Sequence, residues 1–282
     1  MSVKRLFERL ASRGNHPGQP GTLDGVMDIL TQAYYDVPAM MPGTSVGAFA
    51  VNDIVNRMLA RGATPRFLGA AFAVSSDMSA ITTRYVASHT AEAAVQAEVE
   101  IISSEAVDLP KGEQPSLAVT LTAVGEMWPA ALEKSRQVKP GDAVIITGRA
   151  GAHGVALYEA RTRSLFIPPV LSDSASLCDV VNALRRVIAE HLRMLCYPAD
   201  GVIDAMAHIE SATGCKVRLD ADAVPIAATV YDAARVMHRQ ALTLPTAGAM
   251  IAVVPSAMAD KAVEAVRREA HGSHAAVIGR II

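Results

Sequence analysis

Short apolar runs alternate with amphipathic segments along most of the chain, and this alternation limits the fold to few classes. The apolar runs predict strands at residues 68–74, 99–103, 116–125, 143–147, 216–219, 249–254 and 275–278. The amphipathic segments predict helices at residues 2–11, 23–33, 80–98, 176–193, 201–213, 226–238 and 257–270, with one more from residue 51. Strands that alternate with helices in both halves indicate an α/β or α+β protein rather than a helical bundle or a β-sandwich.

A break between residues 127 and 141 divides the chain of 282 residues into two halves. Its sequence, MWPAALEKSRQVKPG, combines prolines, charges and a Pro-Gly turn signal. A chain of this length commonly contains two domains. We therefore predict an N-terminal domain over residues 1–130, in which residues 1–20 are an extension, and a C-terminal domain over residues 138–282.

Charge and hydropathy argue against two classes of partner. The net charge is -2 and the 26 basic residues are scattered, so the basic surface that a nucleic acid requires is not indicated. The longest apolar stretches, such as residues 67–74, are far shorter than the roughly 18 residues of a membrane span. The N-terminus lacks the apolar core of a secretion signal. We expect a soluble, cytoplasmic protein that binds neither nucleic acid nor membrane.

The cysteines and one histidine pair form no recognisable metal or disulfide pattern. Cys178, Cys196 and Cys215 are an odd number without a Cys-x-x-Cys spacing, so neither a zinc site nor a disulfide framework is indicated. His271 and His274 lie in a loop segment without a matched third ligand. We expect this histidine pair at the solvated surface.

Two polar residues, Asn52 and Asp53, stand at the predicted start of an amphipathic helix. Its apolar face is indicated by residues at helical spacing, namely Val51, Ile54, Val55, Met58 and Leu59. Gly62 is a signal that ends the helix. At a helix start, Asn52 and Asp53 could cap unpaired backbone N–H groups. They could also bind Mg²⁺ or a phosphate, with Asp36 and Glu105 as further oxygen ligands.

A glycine-rich turn, TGRAGAHG, follows a predicted strand and precedes a helix. In this context Gly148, Gly151 and Gly154 would let backbone amides approach a phosphate or another segment of the chain. The turn matches neither the Rossmann pattern nor the Walker A pattern. His153, inside the turn, could be an acid or base, although a single histidine in a turn is more often structural.

Six consecutive segments carry a resemblance to a known superfamily. They are FAVNDIVNRMLARGATPRFL, VKPGDAVIITGRAGAHGVAL, LSDSASL, GVIDAMAHIESATGCKVRLDADAVPI, AGAMIAVVP and HAAVIGRI. In this order they resemble the PurM-like, or aminoimidazole ribonucleotide synthetase-related, proteins, and most closely the HypE group of hydrogenase-maturation carbamoyl dehydratases. The resemblance covers residues 40–282. Its most specific parts are the block in which Asn-Asp is followed by Gly-Ala and then by Pro, and the pair Ser172 and Asp173.

The resemblance implies a fold, a cofactor and a reaction class. Superfamily members are two-domain α/β homodimers in which N-terminal-domain strands join into a β-barrel and the C-terminal domain is an α/β sandwich. They bind ATP and Mg²⁺ at the dimer cleft and convert an amide or carbonyl oxygen into a phosphate leaving group. The implied cofactor-binding residues of this chain are Asn52, Asp53, Glu105, Gly148, Gly151 and Gly154, with Asp53 and Glu105 as magnesium ligands. In the HypE group, a thiocarboxamide on a C-terminal cysteine is dehydrated to the thiocyanate that becomes a hydrogenase cyanide ligand.

The chain departs from the superfamily pattern at several blocks. Where members carry Gly-Asp-Thr-Lys, this chain reads SSEAV, so Glu105 stands for the aspartate and Val107 for the lysine. Their Asp-Pro-Thr-Arg-Gly-Gly is YPADGV at residues 197–202, and their Glu-Gly is Ala247 and Gly248. The stretch before residue 36 looks too short for their early strand and paired aspartates. The sequence ends at GRII, without their cysteine-bearing tail.

These departures lead to two candidate functions. The first is a divergent maturation factor or scaffold in metallocentre assembly, with its ATP-dependent chemistry weakened or lost and with a maturation protein as partner. The alternative is an ATP- and Mg²⁺-dependent enzyme that activates an amide or carbonyl oxygen of an unidentified substrate. The replaced groups are the ones that would touch a nucleotide, and losing their charge removes transition-state stabilisation. The first function is therefore favoured.

Overall fold

The computed structural model describes residues 25–112, 116–129, 137–188 and 191–282. Its strands are β1 (Met27–Tyr34), β2 (Met40–Met41), β3 (Thr44–Ser45), β4 (Ala63–Ser75), β5 (Glu100–Leu109), β6 (Leu117–Met127), β7 (Ala143–Ile146), β8 (Met194–Cys196), β9 (Val217–Leu219), β10 (Ile251–Val254) and β11 (Ala276–Ile281). Its α-helices are α1 (Val46–Ala60), α2 (Ala80–Gln96), α3 (Ala152–Thr162), α4 (Cys178–Ile188), α5 (Val202–Thr213), α6 (Ala228–Val236) and α7 (Ala259–Arg267). None of the described helices is both long and apolar enough to cross a membrane.

Most of the predicted strands and helices are confirmed, but two predictions at the N-terminal end need correction. The helix predicted at residues 2–11 lies outside the described residues. The helix predicted at residues 23–33 is wrong, because its described part forms β1, whose side chains alternate between the two faces of a sheet. Strand β1 pairs with β6 along its whole length, and this ladder overrides the helical spacing of its apolar residues. It also supplies the early strand for which the stretch before residue 36 looked too short.

The first sheet has the strand order β1-β6-β4-β5. Strand β6 is antiparallel to both β1 and β4, whereas β4 and β5 are parallel. A parallel pair requires a crossover connection, and α2 provides it. Helix α1 packs against α2 and against β6, β4 and β1. Leu68, Phe72 and Leu121 fill the core between the sheet and these helices.

The opposite face of this sheet, which we call the outer face, carries exposed apolar side chains. Phe72 and Ala106 are buried in the core, so Ala71 and Glu105, which pair across β4 and β5, point to the outer face. The large apolar side chains on it include Met27, Ile29 and Val107, which are 46%, 59% and 61% exposed. Several large apolar side chains exposed on one face of a sheet are typical of an interaction surface.

The second sheet has the order β8-β10-β7-β11-β9, with every neighbouring pair antiparallel. Strands β7 and β10 are buried along their whole length. Leu184 of α4 and Val266 of α7 belong to the same apolar core as Ile54 of α1 and Leu121 of β6. The two halves of the chain therefore share one continuous core. The division into domains at residues 1–130 and 138–282 stays a prediction.

A cation–π contact adds a second link between the halves. The guanidinium carbon of Arg185, on α4, lies 4.1 Å from the ring centroid of Trp128. The indole N–H of Trp128 donates to Thr64 Oγ1 at 2.8 Å, which fixes the ring against the start of β4. Helix α4 is thereby held against the first sheet where β6 ends and β4 begins, as well as through the core.

Candidate functional site

Helix α1 begins earlier than the sequence predicts, and this changes the role of two candidate residues. Ser45 is the N-cap, and its Oγ accepts a hydrogen bond from the N–H of Ala48 at 3.3 Å. Asn52 and Asp53 therefore lie in the middle of the helix, where they are 6% and 2% exposed. Their interpretation as helix caps is wrong, because the apolar run before them forms the first turns of the helix.

The polar face of α1 contacts three segments of the C-terminal half, and we call this contact the domain seam. Its members are Asn52, Asp53, Asn56, Arg57, Asp173, Tyr197 and Ala247. Asn56 is fully buried at its centre. Its Nδ2 donates to the carbonyl oxygens of Ala175 and Ala247 at 2.9 and 3.4 Å, and its Oδ1 accepts from the N–H of Leu177 at 2.9 Å. Sequence reasoning missed Asn56, although its spacing of four from Asn52 puts both on one helix face.

Three buried polar atoms at the domain seam have no hydrogen-bond partner within the described residues. They are Asn52 Oδ1, Asp173 Oδ2 and Tyr197 Oη. The other end of the Asn52 side chain, Nδ2, donates to Ser174 Oγ at 3.2 Å. Buried polar atoms normally find a partner, so the seam retains unused hydrogen-bonding capacity.

The Asp53 carboxylate is bonded to Arg57 of its own helix and to Tyr34 of β1. Its Oδ2 accepts one hydrogen bond from Arg57 Nε at 2.7 Å and another from the Tyr34 hydroxyl at 2.8 Å. Burial, and next the Asp53 carboxylate, raise the pKa of Tyr34 well above its ordinary value, so the phenol stays protonated. Burial acts to lower the pKa of Arg57, but the ion pair with Asp53 raises it overall. The guanidinium therefore stays charged and balances the carboxylate.

Asp173 joins the glycine-rich turn to the loop that contains Ala247. Its Oδ1 accepts hydrogen bonds from the backbone N–H groups of His153 and Ala247 at 3.1 and 3.2 Å. Burial raises the pKa of this carboxyl group to about 6. A Cβ atom at Gly248 would collide with the Asp173 carbonyl oxygen, so the close approach of the two loops requires glycine.

His153 is buried, and its ring is held by a stacking contact on one face and by a hydrogen bond at Nδ1. The ring stacks on Phe49 with a centroid distance of 4.3 Å, and Nδ1 lies 2.9 Å from Ser172 Oγ. Burial, and next the charge of Arg161, lower its pKa to about 4, so the ring is neutral at pH 7. These contacts favour the structural role of His153. Its role as an acid or base stays a prediction.

The glycine-rich turn uses backbone amides to bond with the protein itself. The N–H of Gly151 donates to Thr246 Oγ1 and that of Gly154 to the carbonyl oxygen of Pro245, both at 2.9 Å. Gly151 has a φ of 86°, which favours glycine. A Cβ atom on Gly148 would lie 2.9 Å from a backbone carbonyl oxygen. The three glycines therefore allow close packing, and their binding of a cofactor stays a prediction.

The remaining predicted oxygen ligands lie away from Asp53. Glu105 is on the outer face of the first sheet, whereas α1 packs on the inner face. Asp36 is exposed, and its Oδ2 accepts from Arg161 Nη2 at 2.8 Å. Among the described residues, no group of three or more His, Cys, Asp or Glu side chains could hold a metal ion. Asp53 and Glu105 of one chain therefore do not fit a shared Mg²⁺ ion.

Two family descriptions together match almost the whole chain. Residues 22–127 match the family described as AIR synthase related protein, N-terminal domain. Residues 139–282 match AIR synthase related protein, C-terminal domain. The chain belongs to the AIR synthase related family. The PurM-like fold that the resemblance implies is thereby confirmed.

Similarity to HypE proteins within the AIR synthase related family is also confirmed. The carbamoyl dehydratase HypE of Rhizobium leguminosarum bv. viciae is 29% identical over 271 residues, which are 95% of this chain and 77% of that protein. A solved structure of the hydrogenase maturation protein HypE in complex with ATP has 27% identity and a TM-score of 0.88, and the match covers 98% of this chain and 83% of that one. A HypE–HypF complex has 28% identity and a TM-score of 0.85, with coverage of 90% and 84%.

Two of the blocks in which this chain departs from the AIR synthase related pattern meet at the domain seam. Tyr197 stands where superfamily members carry an aspartate, and its ring centroid lies 5.8 Å from the guanidinium carbon of Arg57. Ala247 stands where they carry a glutamate, and its backbone bonds with Asp173 and Asn56. Neither replacement brings a charge, so two carboxylates that the resemblance implies are missing from the seam.

Proposed function

We propose that this protein is a HypE-like maturation factor that acts as a scaffold in metallocentre assembly, with its ATP-dependent chemistry weakened or lost. The observation that carries the proposal is the charge of the domain seam. Asp53 is paired with Arg57 of the same helix, and Tyr197 and Ala247 supply no charge. Phosphoryl transfer depends on cations and polar groups that are free to stabilise developing charge. A seam whose guanidinium is already engaged by its own carboxylate is poorly suited to that task.

The names of the relatives support the maturation role. They include carbamoyl dehydratases HypE and hydrogenase expression/formation proteins. One solved structure of similar fold is a HypE–HypF complex, which supports a maturation protein as the partner of this chain. A cytoplasmic location belongs to the same proposal.

The outer face of the first sheet supports a homodimer as the second kind of assembly. Its exposed apolar side chains, with Met27 and Ile29 on the edge strand β1, would be covered if the sheets of two chains met. The resemblance implies the same arrangement, since superfamily members join N-terminal-domain strands into a barrel. This homodimer would leave the domain seam of each chain intact.

Complex formation without nucleotide tests the scaffold proposal. The purified chain is mixed with a HypF protein, and the mixture is separated by size-exclusion chromatography with and without ATP. We expect co-elution at micromolar concentrations in both conditions, and no phosphate release by the chain alone. A chain that fails to co-elute, or that hydrolyses ATP at about 1 s⁻¹ or faster, would contradict the proposal.

An ATP-dependent enzyme remains the second candidate, and one observation favours it. The fold matches that of a HypE protein solved in complex with ATP at a TM-score of 0.88. Such an enzyme would phosphorylate an amide or carbonyl oxygen of an unidentified substrate, and Asp53 and Glu105 could both be its Mg²⁺ ligands only if they bound separate ions or came from two chains. Binding of ATP with Mg²⁺ that Asp53→Ala abolishes would favour this candidate over the scaffold.

A further inference from the structure

Arg57 lies one helical turn after Asp53, and its Nε is 2.7 Å from Asp53 Oδ2. The place next to this carboxylate is the one that the resemblance assigns to Mg²⁺. We propose that the guanidinium of Arg57 takes the place of a divalent cation at Asp53, so that the domain seam works without metal. This inference deepens the proposed function, on which it rests, because it gives a physical reason for the loss of metal-dependent chemistry.

The surroundings of Asp53 suit a guanidinium and exclude a hydrated ion. The side chain is 2% exposed, and one of its oxygens already accepts hydrogen bonds from Arg57 and Tyr34. Mg²⁺ requires near-octahedral coordination and usually keeps several of its waters. A carboxylate enclosed by a guanidinium and a phenol offers no space for such a shell. A divalent cation at this distance from Arg57 would also be repelled by the guanidinium charge.

Two contacts fix Arg57 as a permanent counter-charge. The spacing of four residues along α1 places its side chain over Asp53, in the orientation that favours an acidic residue followed by a basic one. The Tyr197 ring lies 5.8 Å from the guanidinium carbon, within the range of a cation–π contact. A buried carboxylate needs such a partner, because an unpaired charge in the interior is strongly destabilising.

The position of Arg57 also predicts how the seam would meet a ligand. Its side chain is 34% exposed, whereas Asp53 is 2% exposed, so of the two charged groups Arg57 is the one that solvent reaches. A phosphate-bearing ligand that reached the seam would meet a positive charge directly and would need no bridging metal. Metal-mediated recognition through Asp53 is thereby replaced by direct contact with Arg57.

Binding of Mn²⁺ in the absence of nucleotide tests the proposal. Mn²⁺ replaces Mg²⁺ at oxygen sites, and its binding is measured by electron paramagnetic resonance and by the shift in Tm at millimolar MnCl₂. The wild-type chain should bind no Mn²⁺ through Asp53 and should show a Tm shift below about 1 °C, since a metal that does not bind the folded state cannot stabilise it. Arg57→Gln frees the carboxylate, so this variant should show a Mn²⁺-dependent rise in Tm that Asp53→Asn/Arg57→Gln lacks.

A matched control separates the loss of this pair from the loss of any arginine–aspartate pair. Arg61→Gln breaks the ion pair between Arg61 at the end of α1 and the buried Asp28 of β1, outside the seam. It should produce no response to Mn²⁺. If Arg57→Gln does not fold, Arg57→Met keeps a stem of similar length for the same measurement.

Two results would overturn the inference. One is binding of Mn²⁺ to the wild-type chain that Asp53→Asn removes. The other is a folded Arg57→Gln or Arg57→Met variant that still ignores Mn²⁺, because Arg57 would then not be what fills the cation position. Neither result involves HypF or ATP turnover. A failure here therefore leaves the scaffold proposal to its own test, and a failure of complex formation leaves the role of Arg57 standing.

Discussion

The Oδ1 atom of Asn56 accepts a hydrogen bond from the backbone N–H of Leu177 at 2.9 Å, across the contact between the two halves of the chain. The Nδ2 atom of the same side chain donates to the Ala175 carbonyl oxygen at 2.9 Å. One buried amide thus satisfies a donor and an acceptor of the segment that follows Asp173. The position of this segment against α1 depends on Asn56.

Replacement of Asn56 by leucine should destabilise the fold strongly. The variant leaves the N–H of Leu177 and the carbonyl of Ala175 buried without their partner, at a cost of about 2 to 4 kcal/mol in the free energy of unfolding. Urea denaturation measures this loss. Asn182→Leu, at an exposed position of α4, is the control and should change stability by less than about 0.5 kcal/mol. Equal effects of the two substitutions would argue against a special role for Asn56.

Asp173 should make stability depend on pH below neutrality. Its carboxyl pKa is raised from 3.8 to about 6 by burial, so the folded state holds the proton more tightly than the unfolded state. The stabilisation by the protonated form is present at low pH and is lost as the pH rises from about 4 to about 6. Asp173→Asn cannot ionise and keeps an acceptor for the N–H groups of His153 and Ala247. We expect the variant to lack this decline, which is at most about 3 kcal/mol for the wild type.

Urea titrations of both proteins at four pH values, from about 4 to about 7, measure the difference in the free energy of unfolding between them. The comparison cancels the contribution of His271, whose pKa is raised by its hydrogen bond with Asp179 in both proteins. Parallel stability curves for the wild type and Asp173→Asn would show that folding does not raise the pKa of the Asp173 carboxyl group, and would contradict the prediction.

Gly248→Ala should disrupt the contact between its loop and Asp173. The added Cβ would overlap the Asp173 carbonyl oxygen, which is backbone and cannot rotate away. Overpacking of this kind costs about 1 to 3 kcal/mol or more, and we expect the upper end of that range. Gly69→Ala is the control, because its nearest neighbour would be 3.9 Å away. That substitution should be neutral or should stabilise the strand by up to about 1 kcal/mol.

Ile29→Glu should separate the proposed homodimer into monomers. Ile29 is 59% exposed on the outer face of the first sheet, where burial against a second chain would leave a glutamate without solvent. Analytical ultracentrifugation measures the mass. Ile81→Glu is the control, since Ile81 is 83% exposed on α2, which packs on the opposite face of the sheet. Retention of the dimer by Ile29→Glu would place the interface elsewhere.

The sequence was sufficient for the fold class and for most elements, because apolar runs such as β7 and strongly amphipathic segments such as α4 are clear signals. It was insufficient for β1, whose apolar spacing also fits a helix until β6 is known to lie beside it. It also placed the start of α1 too late. The residues between Ser45 and Asn52 are apolar or glycine, without polar residues at helical spacing, and only Ser45 marks the first turn.

The candidate site was harder to predict because its parts are distant in sequence. Asn56, Asp173, Tyr197 and Ala247 meet only when the two halves share a core. The resemblance drew attention to Ser172, Asp173 and the replaced blocks, whereas the only signal for Asn56 was its spacing of four residues from Asn52. The pairing of Asp53 with Arg57 could have been proposed from their spacing of four residues.

Calorimetric titration of the purified chain with ATP and Mg²⁺ tests the central claim most directly. That claim is that the domain seam keeps the fold of the AIR synthase related family but no longer binds Mg²⁺ and nucleotide for chemistry. We expect no measurable binding heat, which corresponds to a dissociation constant weaker than about 1 mM. Binding in the micromolar range that requires Mg²⁺ and is abolished by Asp53→Ala would contradict the account.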